Sequence, residues 1–401
     1  VIKKQNRRER FMMRLNFSRK TILAVFMLGT FAVGMTEYVV TGLLTQFARD
    51  LNVDVSTTGL LLTVYAISVA IFGPLLRIVT LKASPKPLLV AFVALFIISN
   101  IIAATAPYFE VLLLSRLLSA AMHAPYFGLC MFVAVSISEA SKKTSAIAAV
   151  QGGLTIAIML GVPFGSYLGG IFDWRIVFWF MAVLGVVTLI GLLIVTPNVK
   201  PTEIPKIKTE LSMLKNKNVL LTMAIIVFGF SGVFTAYTFK EPMYREFAGF
   251  DVTGITIGLF FFGLGAVLGN FASGTVQPSK LTTRLIYALL ALALVLATYA
   301  YFLQFAPMAI LMSFLFGAGT FGTTPLLNAK IILAAKEAPN LSGTLAASVF
   351  NLSNAIGAAL GSFLLSIGFG YQAITWVAAS MITIGLIISI VTRKIEDPIH
   401  E

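Results

Sequence analysis

The chain has 401 residues, 58% of them hydrophobic and 11% charged, with a formal net charge of +13 and a mean hydropathy of +0.94. A soluble chain is about 25% charged, so this one cannot cover soluble domains, and a cytosolic enzyme, a secreted scaffold and a disordered regulator are excluded. The basic excess points to loops held on one side of a membrane rather than to nucleic acid.

A spanning helix needs about 20 apolar residues. Such stretches recur along the whole chain, at 21–46, 56–76, 88–106, 110–134, 145–169 and 176–196, then at 218–239, 252–275, 285–303, 308–334, 342–366 and 373–392. The polar segment 197–217 divides them six and six. The predicted fold is an all-α integral membrane protein with twelve transmembrane helices in two pseudo-symmetric six-helix bundles. Its parts are a basic N-terminus at 1–20, a first bundle at 21–196, a central loop at 197–217, a second bundle at 218–392 and a tail at 393–401. The basic start followed by an apolar run has the order of a secretory signal. The run is too long for one and leads into eleven more, so it reads as retained. Met12 and Met13 are alternative starts.

With the N-terminus inside, 24 of the 29 basic residues fall on the inner side, four (Arg49, Arg175, Lys240, Arg245) on the outer side, and Arg116 within a span. Both termini and the central loop are therefore expected in the cytoplasm.

In chain order, Glu37 is the acid placed in the interior of a span, in GMTEYVVTGLL. An ionisable group there is costly and normally faces an aqueous cavity or a partner. It lies about nine residues, or roughly 13 Å, from the outer end of the first predicted span. Arg116 enters the fourth span to a depth of roughly 9 Å, so the two are placed to pair. The pair reads either as a proton-carrying carboxylate balanced by an arginine or as a static ion pair. His123 follows seven residues later on the same face, as a proton relay or as a packing residue. In the fifth span Gly161, Gly165 and Gly169 recur every four residues, with Gly153 and Pro163 nearby. Such a face allows close helix approach, and Pro163 removes a backbone hydrogen bond. The stretch is either ordinary tight packing or a pliable contact between the halves. Polar cavity candidates are Gln151, Thr155, Asn328, Asn351 and Asn354, and aromatic ones are Tyr38, Tyr65, Tyr126 and Tyr237. Lys240-Glu241-Pro242, after the seventh span, reads as a solvated loop start ahead of an external gate pair. The single Cys130 excludes an intramolecular disulfide, and the two histidines, His123 and His400, argue against a zinc site. No Walker-type loop is present, so direct ATP drive is not expected.

The halves repeat each other weakly. Asp54-Val55 recurs as Asp251-Val252, Gly73 as Gly269, and Gly161, Gly165 and Ser166 as Gly357, Gly361 and Ser362. Trp174 and Trp179 correspond to Tyr371 and Trp376. Paired repeats around a central site are a construction of secondary transporters.

GMTEYVVTGLLTQFARDLNVDVSTTGLLLTVYAISVAIFGPLL, SRLLSAAMHAPYFG, GVPFGSYLGGIFDWRIVFW and FFFGLGAVLGN resemble the sugar-efflux and arabinose-efflux permeases of the major facilitator superfamily. The likeness covers all twelve spans and is strongest in the first half. It implies proton-coupled antiport of a drug, sugar or other metabolite by alternating access, with Glu37 as the span 1 acid and Arg116 as the arginine linked to coupling. The glycine run of the fifth span resembles the antiporter motif. One departure is that Arg77 stands four residues after Gly73, where the superfamily usually carries an acid, with Lys82 and Lys86 beyond. The expected solute is neutral or weakly cationic, the energy source a proton gradient with no cofactor, and the partners solute, protons and lipid bilayer, with the chain monomeric. Nutrient uptake or uniport on the same fold is the alternative reading, and a membrane enzyme is a weaker one because catalytic motifs are missing.

Overall fold

The structure is a computed structural model that describes residues 18–80, 83–197, 212–274, 276, 278–335 and 342–396. The alternative starts Met12 and Met13, Lys82, the Arg77 side chain, most of the central loop and His400 lie outside the described residues.

Among the described residues twelve helices are long and apolar enough to cross a membrane. They are α1 Arg19–Gly42, α2 Val55–Leu76, α3 Pro85–Ala104, α4 Phe109–Ser136, α5 Ser145–Ile171 and α6 Trp174–Val195. The second six are α7 Lys217–Tyr237, α8 Val252–Gly274, α9 Leu281–Phe302, α10 Ala306–Ala334, α11 Leu345–Ser366 and α12 Tyr371–Arg393. No strand occurs among the described residues. Helices satisfy every backbone group internally, which the apolar interior of a bilayer demands.

Local chemistry sets the helix ends. Ser18 accepts the Thr21 N–H ahead of α1, and Asp173 accepts the Arg175 N–H at 2.8 Å ahead of α6, as N-caps do. The regular part of α1 stops at Tyr38 and tightens into a 3-10 turn, Val39–Gly42, before a short helix, Leu44–Asp50. Span 1 thus ends earlier than its apolar run, and Glu37 stands closer to that end than the sequence suggests. In α5 a π-turn, Ala157–Gly161, precedes Pro163. A π-turn is a recognised way for a helix to absorb a local misfit.

Spans α1–α6 pack on one another, and so do α7–α12. The halves meet where α2 lies along α11 and where α5 lies along α8. The repeat seen in the sequence has a structural counterpart. Gly73 faces Ala124 on α4, and Gly269 faces Ala318 on α10. Gly161 faces Phe31 and Met35 on α1, and Gly357 faces Ser231, Phe234 and Thr235 on α7. At each position a side chain would meet the neighbouring helix.

The contacts between halves concentrate at the end remote from the N-terminus. Glu241 binds Thr45 there, Gly59 abuts Ser362 and Phe239, and Gly170 abuts Val252, while Gly263 abuts Met159 midway along α8 and α5. This end is called the far end below.

Candidate functional site

Glu37 is the second-to-last residue of the regular part of α1, which carries its carboxylate inward near the junction of the halves. Its Oε2 lies 3.7 Å from Nε2 of His123, and both side chains keep 11% exposure. The expected direct pair with Arg116 is not formed, since no ion pair within 4.0 Å joins them. Arg116 instead places its guanidinium 4.3 Å from the Tyr65 ring centroid. The Tyr65 hydroxyl shares a 2.9 Å hydrogen bond with His123 Nδ1. Tyr65 is therefore the connector: its ring meets the cation and its hydroxyl meets the histidine. The heptad spacing of Arg116 and His123 puts them on one face of α4, as read from the sequence, and the ring of α2 separates their partners. His123 also stacks on Phe127 at 5.0 Å. Arg116 is 1% exposed, and its Nε and one terminal nitrogen lack hydrogen-bond partners.

Tyr38, next to Glu37, crosses the junction. Its ring meets Tyr237 edge-on at 5.9 Å and Phe234 at 6.5 Å. The structure brings together Glu37, Tyr38, Tyr65, Arg116, His123 and Tyr237.

Other candidates lie elsewhere. Tyr126 is buried inside the first bundle, against Gly29 of α1 and Thr188 of α6, because the missing Cβ of Gly29 makes room for its hydroxyl. Gln151 is exposed, and Thr155 donates to its carbonyl at 3.4 Å. Asn328 is half-buried. Asn351 donates to the Ala347 carbonyl, and the side-chain oxygens of Asn351 and Asn354 lack partners. No hydrogen bond joins any of these to Glu37 or His123.

The reading of the α5 glycines as a contact between halves is corrected. Gly153 faces Thr30 and Met27, Gly161 faces Phe31, Gly165 faces Val39 and Met35, and Gly169 faces Leu43, all from α1 or the residue after it. The stripe seats α5 on α1 of its own half. Contact with the other half uses Met159 and Gly170 instead.

Lys240-Glu241 is also corrected. The short helix Lys240–Ala248 follows α7, and both residues are 0% exposed. Glu241 Oε2 accepts the Thr45 hydroxyl at 2.7 Å and the Thr45 N–H at 3.1 Å, while Oε1 accepts from Arg245. Lys240 Nζ lies over two rings, 3.3 Å from the Phe262 centroid and 4.4 Å from that of Tyr237, with no hydrogen-bond partner. Burial pushes its ammonium well below the ordinary lysine range. Burial likewise pushes Glu241 up, against the opposing pull of Arg245 and Thr45. Charges at the end of an apolar run look solvated in a sequence. The available signal was the Glu241-to-Arg245 spacing of four, which marks a continuing helix.

A cavity of about 530 Å³ opens at the other end of the second bundle, between α8, α9 and α10, beside Lys280, Arg284 and Tyr287. It is separate from the Glu37 cluster.

Comparison with known proteins fits this arrangement of two six-helix bundles. The family model "Major Facilitator Superfamily" matches residues 26–347. The chain belongs to the major facilitator superfamily. It is therefore a transporter-family protein rather than an enzyme, and a multi-pass membrane protein. The uncharacterized MFS-type transporter YfhI of Bacillus subtilis is 44% identical over 93% of this chain and 94% of its own length. A protein of Helicobacter pylori named "Probable sugar efflux transporter" is 28% identical over 86% of this chain and 89% of its own. The solved nucleoside transporter NupG superposes with a TM-score of 0.75 at 12% identity, over 94% of this chain and 99% of that one. At that identity the likeness is one of fold.

Proposed function

We propose that this superfamily transporter exports a small organic solute in exchange for protons, as a monomer in a bacterial inner membrane with both termini cytoplasmic. Glu37 is the proton carrier. The observation that carries the reading is the Glu37–His123 pair, a carboxylate near the junction of the halves that keeps partial exposure. Tyr65, whose ring carries Arg116, holds His123 by its hydroxyl, and the nearby guanidinium biases the acid. Alternating access supplies the cycle, with one half rocking against the other around the site. Export accords with the name of the Helicobacter relative; uptake is the second direction this fold supports.

The expectation of a neutral or weakly cationic solute counted Arg116 as the one cation facing the site. Lys240, buried beside Tyr237, is a second.

The test is solute flux in proteoliposomes with and without a pH gradient. Glu37→Gln keeps the shape and removes the titrating group. It is expected to abolish uphill flux and to spare downhill exchange. Arg116→Ala is expected to impair coupling as well. A Glu37→Gln protein that concentrates solute as the native chain does would make Glu37 structural.

A further inference from the structure

Proton exchange at Glu37 leaves Lys240 without a task. The side chain is fully buried and its Nζ lacks a hydrogen-bond partner. The adjacent acid does not serve it, because both Glu241 oxygens are engaged by Thr45 and Arg245. The faces of Phe262 and Tyr237 meet part of the demand of a cation. They do not replace an acceptor for three N–H donors, and an ammonium buried without one is destabilising.

Tyr237 continues into Tyr38 at 5.9 Å, and Tyr38 adjoins Glu37 in sequence. Tyr237 also meets Phe262 at 5.1 Å. A row of rings therefore runs from a cation at the far end to an acid on α1, across the junction of the halves.

We propose that Lys240 and Glu37 are the two poles of the solute site, and that the solute is an aromatic zwitterion. Lys240 takes its carboxylate, Glu37 its ammonium, and Tyr38, Tyr237 and Phe262 its planar body. Solute reaches Lys240 as the Thr45–Glu241 seal parts. The inference rests on the reading of Glu37 as the exchanging acid.

Charge selects a zwitterion over the alternatives. A simple anion beside Glu37 would bind together with the proton, since each favours the other. That is cotransport, the reverse of exchange. A simple cation would compete with the proton but lie near Arg116 and leave Lys240 without an acceptor. A neutral solute would leave Lys240 as it is, unpaired. An ammonium at one pole competes with the proton, and a carboxylate at the other completes Lys240.

The experiment is equilibrium titration of the purified full-length protein, without a gradient, followed by thermal shift. The probes are para-aminomethylbenzoate and para-aminomethylphenylacetate, which carry their two charges at opposite ends of a ring, each as the free zwitterion, the methyl ester and the N-acetyl form. At least one zwitterion is expected to bind about tenfold or more tighter than both of its derivatives. Lys240→Met is expected to erase the advantage over the ester while ester affinity stays within about threefold. Glu37→Gln is expected to erase the advantage over the N-acetyl form. The proposal is overturned if no zwitterion outbinds its ester, or if Lys240→Met weakens both forms equally, which would make Lys240 a packing residue that pins the end of α7 to α8. Should Lys240→Met not fold, the comparison of the three forms on the native chain decides alone. A failure of proton exchange appears only in the Glu37→Gln flux assay, so the two readings fail separately.

Discussion

Tyr65 stands between Arg116 and His123, its ring 4.3 Å from the guanidinium carbon and its hydroxyl 2.9 Å from the imidazole Nδ1. Through that hydroxyl it orients the imidazole whose Nε2 faces Glu37. Tyr65→Phe separates the two roles, since it keeps the ring under Arg116 and removes only the hydrogen bond. It is expected to cost about 1 kcal/mol of stability and to lower the ratio of uphill to downhill flux. Tyr65→Leu removes the cation–π contact too and is expected to cost more. Thermal midpoints and paired flux assays check both. Unchanged coupling in Tyr65→Phe would remove His123 orientation from the mechanism.

The far-end closure offers a covalent test of rocking. A Cβ at Gly170 would lie 3.4 Å from the Val252 Cβ, across the junction of α5 and α8. A disulfide needs Cβ atoms about 3.8 Å apart, so Gly170→Cys with Val252→Cys is within a small adjustment of bridging. The native Cys130 is buried and free, and Cys130→Ser removes it from the background. Oxidation is expected to stop flux and reduction to restore it. Undiminished flux in a fully bridged sample would contradict rocking about this junction.

The twelve spans were legible because a bilayer imposes length and apolarity on each segment, and the breaker residues mark the gaps. Glu37 and Arg116 were legible as candidates because ionisable groups in spans are rare and costly. Their partners were not. Depth along a helix gives the level of a side chain but not which neighbour intervenes, and here the α2 ring of Tyr65 takes Arg116 while His123 takes Glu37. The α5 glycines were legible as a close-approach face, but the helix that approaches, α1, is a tertiary fact. Lys240-Glu241 was misjudged because burial at a helix end is a tertiary fact: Thr45 of the other half covers Glu241, and the Tyr237 and Phe262 rings cover Lys240.

Topology is a simpler matter. The twelve spans of the described residues put the two ends of the described chain on one side, and the 24 of 29 basic residues that share that side are the reason for proposing that it is the cytoplasmic one. Reporter fusions after residue 396 and within 198–211 are expected to report the same, internal side. A central loop reached by external protease would reverse the orientation and the direction of transport with it.

Lys240 also makes a prediction about stability in the absence of solute. Its ordinary value is 10.5, and burial holds the folded-state value well below that. Between the two values the unfolded chain binds more protons than the folded one. Stability therefore rises with pH through that window and is lost as pH falls toward the lower value. Lys240→Met has no such group, so its stability lacks this rise. As pH rises toward about 10 the thermal midpoint of the native chain is expected to climb relative to that of Lys240→Met. At lower pH the Met variant is expected to be at least as stable as the native chain, because it buries no unpaired amine. A bound carboxylate satisfies the ammonium and raises its folded-state value, so a zwitterionic ligand is expected to flatten the climb, whereas its ester leaves it in place. Scanning calorimetry of the two proteins across this range, with and without ligand, measures all three effects. Parallel curves for the native chain and Lys240→Met would show that Lys240 already has a partner in the folded state and would remove the reason for a ligand there.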